Sequence, residues 1–343
     1  MNRSQISTRI ILPICLLAQL NSHPNLLVQK AEGQTAYSSN SGPTANSSTS
    51  VGAQTPSQKK ASVRFERVAG GKRIFITSEK PFAALVFVND KGDIVSKPAI
   101  AHVKFVLFLP KNIRIIVGVG PGLAENPELL KAFPIEDIYG LDMSTDNFDA
   151  TCPVEKLLQI VLKFPNLKLL NLMGNPTTDS ILTLIEQVKK LDSLTVSYTQ
   201  ITGDKLATLG SITRLRELNA SRVQNIGKVL EKLKNTRTLR VLRVSSKRLS
   251  QEDFAAIATM KDLVRLDVSS STIEQKNLNQ ICKLSMLDTL NMRYCKLNLT
   301  NFEPIVKLQN LVEFQVSYDM MRRYAILHSI RQRMPFCHWI VTN

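Results

Sequence analysis

Three glycines that follow an apolar run are the residues whose spacing comes nearest to known chemistry. In IIVGVGPGLAENPELL, Gly118, Gly120 and Gly122 stand between a strand-like segment and a possible helix. Asp142 follows about twenty residues later, as in a dinucleotide-binding turn, where glycines let backbone N–H groups approach a pyrophosphate. Here Leu123 replaces the third glycine of that motif, and Pro121 has no N–H to donate. The sequence therefore predicts no nucleotide cofactor.

The other residue types that support catalysis or metal binding are scattered along the chain. The four histidines lie far apart, and neither G-x-S-x-G nor H-E-x-x-H is present. The five cysteines form no C-x-x-C pair and no cluster with histidine, so buried thiols are the simpler interpretation. Glu252 and Asp253 stand at a predicted helix start, where capping explains them. The sequence predicts a protein that is not an enzyme and holds no metal.

A constant period governs the chain from about residue 113 onward. The pattern L-x-x-L-x-(apolar) recurs in steps of 24, and its second apolar residue falls at Leu170, Leu194, Leu218, Leu242, Leu266, Leu290 and Phe314. Upstream, Leu141 precedes Leu170 by 29 residues and Ile116 precedes Leu141 by 25, so the first two units are irregular. A fixed period of roughly 20–50 residues is the signature of stacked structural repeats.

Within one unit, the spacing predicts a short strand, a turn and a helix. Leu266 and Val268 alternate with polar residues, which is the period of a strand with one buried face. Leu278, Ile281 and Leu284 then follow at helical spacing on one side. A single unit buries too little apolar surface to fold alone, so successive units must stack and cover one another's inward rows.

Two stretches of the array carry a family resemblance. LDSLTVSYTQITGDKLATLGSIT resembles the leucine-rich repeat of the bacterial 24-residue type, and SIRQRMPFCHWIV is similar to the closing cap of such arrays. The resemblance covers residues 113–341. It implies an α/β leucine-rich-repeat solenoid at 113–343, with a curved parallel sheet on the concave side, helices on the convex side, and a C-terminal cap at about 322–343.

The repeat departs from the family pattern at two places. The family often carries Asn or Cys at the ninth position, where side chains bond along the loop; here that position holds Asn175, Thr199, Val223, Lys247, Ser271, Cys295 and Asp319. Two of these seven residues fit, so bonds between successive turns are predicted to be sparse. In the unit that begins at Leu215, Ala220 replaces a larger inward residue. We expect this unit to open first in hydrogen exchange.

The first 112 residues are predicted to form three segments. Residues 1–31 combine two arginines with the apolar run IILPICLLAQL, which is typical of a signal peptide and too short to span a bilayer as a helix. Residues 32–60 are rich in Ser, Thr, Asn, Gly and Pro, which favours a flexible linker. Residues 61–112 contain short β-branched and aromatic runs broken by turns, which predict a β-rich N-terminal cap. The leader predicts export, to a bacterial periplasm, cell surface or medium.

The outward positions of the strands supply the candidate binding residues. Tyr and Arg are enriched at protein-binding hot spots, whereas a surface that only keeps a protein soluble more often uses Lys and Glu. The candidates on the concave face are Tyr198, Arg222, Arg243, Arg265, Arg293, Tyr294 and Tyr318. The resemblance implies a non-enzymatic interaction module that binds a protein partner through this face, and we expect a monomer.

The charge of the chain keeps a second hypothesis open. The formal net charge is +16 and the pI is near 9.7, and +13 remains after residues 1–31 with their three cations are removed. An anionic polymer or an envelope surface could then bind by charge alone, with arginines of the C-terminal cap contributing. Salt distinguishes the two hypotheses, because charge-driven binding weakens steeply as salt rises.

Overall fold

The fold is described from a computed structural model, which describes residues 61–145, 152–246, 249–299 and 301–342. The predicted leader and linker, 1–31 and 32–60, lie outside the described residues. Within the described ranges, no helix combines the length and apolar character needed to cross a membrane.

The N-terminal strands form antiparallel pairs that continue into the rest of the sheet. They are β1 (Ser62–Val68), β2 (Gly71–Asn89), β3 (Ala99–Pro110) and β4 (Ile113–Val119). Two of the β-branched and aromatic runs of residues 61–112, KRIFIT and ALVFVND, belong to the single strand β2, which passes an irregularity between Ser78 and Ala83. The strand β2 pairs with β1 through its first half and with β4 through its second, while β3 pairs with parts of both halves.

Parallel strands extend the sheet from β4 to the C-terminus. They are β5 (Ile138–Asp142), β6 (Leu169–Asn171), β7 (Ser193–Thr195), β8 (Glu217–Asn219), β9 (Val241–Arg243), β10 (Arg265–Asp267), β12 (Thr289–Asn291), β14 (Glu313–Ser317) and β15 (His338–Thr342). From β6 to β14 each strand pairs with the next in a register of 24 residues, for example Leu266 with Leu290. A separate two-stranded sheet joins β11 (Thr272–Glu274) to β13 (Lys296–Asn298).

The register of the first irregular unit differs by one residue from the sequence prediction. Leu141 pairs with Val117, whereas the sequence alignment placed Ile116 in that row. Val117 points into the main core, and Ile116 points to the opposite face, where it packs with Val86 and Val88 of β2. Because both faces of β4 are covered here, an apolar residue at 116 does not indicate the core side.

Short helices connect the strands on the other side of the core. They are α1 (Pro121–Glu125), α2 (Val154–Val161), α3 (Leu182–Glu186), α4 (Gly203–Leu206), α5 (Gly227–Lys232), α6 (Gln251–Ile257), α7 (Gln275–Ile281), α8 (Tyr318–Arg323) and α9 (Ile326–Arg333), with 3-10 turns between several of them. Helix α6 begins with the capping box formed by Ser250 and Asp253, which confirms that Asp253 serves to start a helix.

The stacked units bury one continuous apolar core. Its rows contain Leu266, Val268, Leu278, Ile281 and Leu284, all at most 1% exposed, as the periodicity predicted. Equivalent residues of the other units line up beside them because the period is constant. The chain is therefore an α/β leucine-rich-repeat solenoid with an N-terminal β-rich region, and the last strand, β15, follows α9 and closes its C-terminal end.

Bonds between successive turns are less sparse than the ninth-position residues suggested. Asn175 donates to the carbonyl of Met143, and the Cys295 thiol lies 3.3 Å from the carbonyl of Val268. Ser271, which departs from the family pattern, donates to the carbonyl of Ser246 at 2.9 Å. A serine hydroxyl therefore replaces the amide or thiol at this position.

Candidate functional site

A column of residues follows the parallel strands along one rim of the concave face. Each member stands four residues after the central core residue of its strand, at Gly174, Tyr198, Arg222, Ser246, Ser270, Tyr294 and Tyr318. We call this set the rim column. Five members have a positive φ, namely Gly174 at 77°, Tyr198 at 56°, Arg222 at 67°, Ser270 at 61° and Tyr294 at 58°. The chain thus makes the same left-handed turn at the end of successive strands.

This left-handed turn is costly for most of the residues that occupy it. A residue other than glycine loses about 1–2 kcal/mol in this conformation, because its Cβ crowds the following carbonyl oxygen. Glycine at position 174 avoids that cost, whereas Tyr198, Arg222 and Tyr294 place large side chains there. The strain has no compensation in burial, because Tyr198 and Tyr294 are 58% and 57% exposed. Backbone strain of this kind collects at functional sites.

The large rim side chains form two groups. Tyr198 and Arg222 are neighbours, and the Arg222 guanidinium lies 5.8 Å from the centre of the Tyr198 ring. Tyr294 and Tyr318 also occupy neighbouring positions of the rim column, and Tyr318 is 56% exposed. Serines occupy the two rim positions between the groups. At about 4.8 Å per strand, Tyr198 and Tyr318 are separated by five steps, or about 24 Å.

The other three predicted arginines, two within strands and one just after a strand, are less available than the rim residues. Arg243 is paired with Glu217, and the side chains are only 19% and 8% exposed. Arg265 places its Nε 3.7 Å from Asp288, and its side chain is likewise mostly buried. These two arginines therefore neutralise carboxylates that the sheet partly covers, although they lie on the predicted face.

Arg293, two residues after β12, completes the set of predicted site residues. Arg293 is half-buried and donates from its Nε to the Asn291 amide oxygen at 3.2 Å. The structure thus separates the seven predicted residues into four exposed rim residues and three arginines that are largely or half buried and bonded to neighbouring side chains. Sequence spacing placed all seven on one face but could not show which of them are bonded to neighbours.

A polar column beside the rim has a structural role. The side-chain oxygens of Asn171, Asn219, Asp267 and Asn291 each accept the backbone N–H two residues further along the chain, at 2.8–3.2 Å. Asn291 also donates to Asp267 of the preceding strand at 2.8 Å. These bonds close the strand ends, as Asx turns do, and they leave this column little capacity for a ligand.

The glycines of the partial dinucleotide motif are explained by close packing. A Cβ at Gly120 would lie 2.7 Å from the carbonyl oxygen of Phe82, and one at Gly122 would lie 2.6 Å from the Ser78 hydroxyl. Asp142 is 1% exposed and accepts the backbone N–H of Ser144 at 3.0 Å. The motif therefore joins β4 to α1 against β2, and its acid belongs to the strand-end column.

The described cysteines have the properties of buried thiols. Burial raises the pKa of Cys152, Cys282 and Cys295 to about 12, and that of Cys337 to about 11. Thiols with such pKa values are poor nucleophiles at neutral pH. Over the described ranges, no group of three or more His, Cys, Asp or Glu side chains is placed to hold a metal ion.

A second feature lies on the opposite edge, where the chain returns from the helices to the strands. Eight seven-residue segments make this turn, at 162–168, 186–192, 210–216, 234–240, 258–264, 282–288, 306–312 and 331–337. Together they contain fourteen Lys or Arg residues and four Asp or Glu residues, a formal charge of +10. We call this the basic edge. Its signal in the sequence was the 24-residue step from Arg237 to Lys261 and from Lys283 to Lys307.

Among known proteins, only solved structures match this chain. No family model matches the sequence, and no curated protein does. Similar solved structures include the internalin InlF of Listeria monocytogenes, at 16% identity and a TM-score of 0.37, with 61% of this chain and 57% of that chain covered. LegL7 of Legionella pneumophila, a leucine-rich repeat-containing protein, has 16% identity and a TM-score of 0.40, with 66% and 82% covered.

A leucine-rich-repeat protein of Leptospira interrogans is a third similar structure, at 18% identity and a TM-score of 0.31, with 60% of each chain covered. This chain thus spans less than two thirds of the length of InlF and of the Leptospira protein. The repeat architecture itself follows from the 24-residue register of this chain's own strands.

Proposed function

We propose that this protein is a non-enzymatic interaction module whose rim column binds a protein partner. The supporting observation is that Tyr198, Arg222 and Tyr294 adopt a strained backbone conformation while their side chains remain largely exposed. A fold that needed only stability would place glycine or asparagine at these turns. Tyr and Arg are also the residue types most often found at interface hot spots.

The two rim groups define how the partner would bind. The Tyr198–Arg222 pair and the Tyr294–Tyr318 pair act as two anchors that together span about 24 Å, and the serines between them allow close approach. The mostly buried pair of Arg243 and Glu217 lies on the face of the sheet, where it joins the strand before Arg222 to the next strand. An interface that covers both anchors has the dimensions of an ordinary protein–protein contact.

The test separates binding from folding by changing rim residues to glycine. The chain from residue 61 onward is used to capture a partner from envelope extract, and the affinity of that partner is then measured for each variant. Tyr198→Gly removes the side chain and the backbone strain together. We expect binding to weaken by about 1–2 kcal/mol, or fivefold to thirtyfold. Stability should stay unchanged or rise by up to about 1 kcal/mol, because relief of strain offsets the flexibility of glycine.

Ser270→Gly is the matched control, because Ser270 has the same left-handed conformation and a small side chain. It should relieve similar strain and leave the affinity unchanged. Equal affinities of the wild type and the Tyr198→Gly and Tyr294→Gly variants would contradict the rim hypothesis. A loss of affinity in the Ser270→Gly variant would show that backbone geometry, and not the side chains, governs binding.

Charge-driven binding of an anionic polymer or envelope surface is the second candidate function, and the basic edge is the observation that favours it. Its formal charge of +10 is spread over eight successive turns. Binding of this kind should fall steeply between low and moderate salt, whereas a packed rim interface should respond mildly. Measuring capture at two salt concentrations distinguishes the two candidates. Export of the chain and a monomeric state are part of the proposal and are tested by fractionation and by light scattering.

A further inference from the structure

A groove on the basic edge collects cations from three successive units. It has a volume of about 320 Å³ and is lined by Asn235, Arg237, Ala255, Ala258, Thr259, Lys261, Gln280 and Lys283. Ala255 lies in α6 and Ala258 follows the last residue of that helix, so small side chains line the groove together with the cations. Among its lining residues there is no carboxylate. Such a volume lies at the small end of the range for ligand pockets.

The cations of this groove are held close to one another. The Lys261 ammonium donates to the backbone carbonyl of Lys283 at 3.4 Å, which brings the lysines of two units together. Burial and the nearby charges of Lys283 and Arg237 lower the pKa of Lys261. Arg237 has a carboxylate neighbour, Asp262, at 3.5 Å, but that acid also pairs with Arg240. The positive charges of the groove thus lie close together, and nearby carboxylates neutralise them only in part.

A second groove on the protein also contains lysines, but carboxylates lie next to them. It lies beside α2 and contains Lys131, Lys156 and Lys163, together with Glu128 and Glu155. Glu128 pairs with Lys131 at 2.6 Å and lies 3.8 Å from Lys156. Two of its cations therefore already have an anionic partner within the protein, in contrast to the groove on the basic edge.

We propose that the groove formed by Arg237, Lys261 and Lys283 binds a phosphate group, either inorganic phosphate or a phosphate monoester. Three converging cations suit an anion with a charge near −2, which a phosphate monoester carries at neutral pH and a carboxylate does not. The amides of Asn235 and Gln280 offer further donors for its oxygens. The site is separate from the rim column and does not depend on partner binding there.

The experiment compares two double variants with the same change in charge. Lys261→Gln with Lys283→Gln alters the groove, and Lys131→Gln with Lys156→Gln alters the neutralised groove. Inorganic phosphate is titrated into each protein at constant ionic strength, with acetate as the comparison anion, and binding is followed by NMR shifts of the groove amides. We expect wild type and control to bind phosphate in preference to acetate. The groove variant should bind it at least about tenfold more weakly.

A second arm identifies the source of the phosphate group. Phosphoserine is used as a soluble monoester, and vesicles of phosphatidylcholine with phosphatidic acid present the same group on a lipid. If the groove variant loses vesicle binding but keeps phosphoserine binding, the result supports the site with a lipid ligand. If the groove variant loses phosphoserine binding but keeps vesicle binding, the result supports the site with a soluble ligand. Equal phosphate affinity in both double variants, or equal affinity for phosphate and acetate in the wild type, would overturn the proposal.

Discussion

At the scale of single residues, a partly buried carboxylate gives the array a specific dependence on pH. Burial raises the pKa of Asp288 above its ordinary value, and Glu313 adds to this; Thr289 and Arg265 act in the opposite direction. The native state therefore holds the proton more tightly than the unfolded state does. The ionised side chain reduces stability above its folded-state pKa, and this penalty disappears as the pH falls below the unfolded-state value of about 3.9.

We predict that the effect of Asp288→Asn on stability, relative to wild type, is most favourable at neutral pH. The difference in the free energy of unfolding between variant and wild type should decline steadily as the pH falls toward about 4. Urea unfolding of both proteins at a series of pH values measures this difference. A difference that does not change with pH would show that burial of Asp288 has no energetic effect.

Glu252→Gln is a control whose effect on stability should have the opposite sign. Backbone and Ser250 hydrogen bonds at the start of α6 lower the pKa of Glu252. Its ionised form stabilises the native state above the unfolded-state pKa, and this contribution is lost as the pH falls through the folded-state pKa. The variant should therefore be less stable than wild type at neutral pH, with a deficit that vanishes in acid.

At the scale of one repeat unit, the strand-end amides allow local stability to be compared directly. The amides of Val196, Ala220, Val244 and Val268 occupy the same position and donate to the following strand at 2.9–3.0 Å. Ala220 fills its core position with the smallest of these side chains, so its unit buries the least apolar surface there. We predict that the Ala220 amide exchanges about tenfold faster than the other three, as measured by native-state hydrogen exchange. Protection equal to that of Val244 would contradict this.

The elements that the sequence predicted well are those in which one face is polar. From β6 to β14, apolar and polar residues alternate, so the inward row could be identified and the 24-residue register followed from it. In β4, Ile115, Ile116 and Val117 are all buried, because β2 supplies Val86 and Val88 against the concave side. Because apolar and polar residues do not alternate in β4, its sequence does not show which of two registers, one residue apart, is correct.

The candidate site was predictable in position but not in conformation. The period placed the rim tyrosines on one face, and only Gly174 carried a sequence signal for a left-handed turn. Nothing in the sequence at Tyr198 and Arg222 indicates the same conformation, because residues with large side chains rarely adopt it. The groove on the basic edge was missed, because lysines after a helix are ordinarily a solvated surface. Its three cations meet only once adjacent units are stacked.

At the scale of the whole molecule, an ion cluster fastens the N-terminal strands to the first irregular unit. Lys72 of β2 lies 2.7 Å from Glu136 and also contacts Asp137, which is 6% exposed. Arg114 of β4 lies 3.3 Å from the same Asp137 carboxylate. Repeat arrays need a cap over their open end, so the strength of this junction affects every unit beyond it.

We predict that Asp137→Ala lowers the free energy of unfolding by about 2–4 kcal/mol. The substitution leaves the mostly buried Lys72 and Arg114 without their shared carboxylate, and removal of one partner from a buried ion pair is costly. Arg73→Ala is the control, because its pair with Glu66 is 49% and 41% exposed and should contribute less than about 1 kcal/mol. Urea unfolding followed by tryptophan fluorescence reports from Trp339 at the far end of the array. If Asp137→Ala destabilises only the N-terminal amides in hydrogen exchange and leaves the Trp339 transition unchanged, the cap does not fold cooperatively with the solenoid.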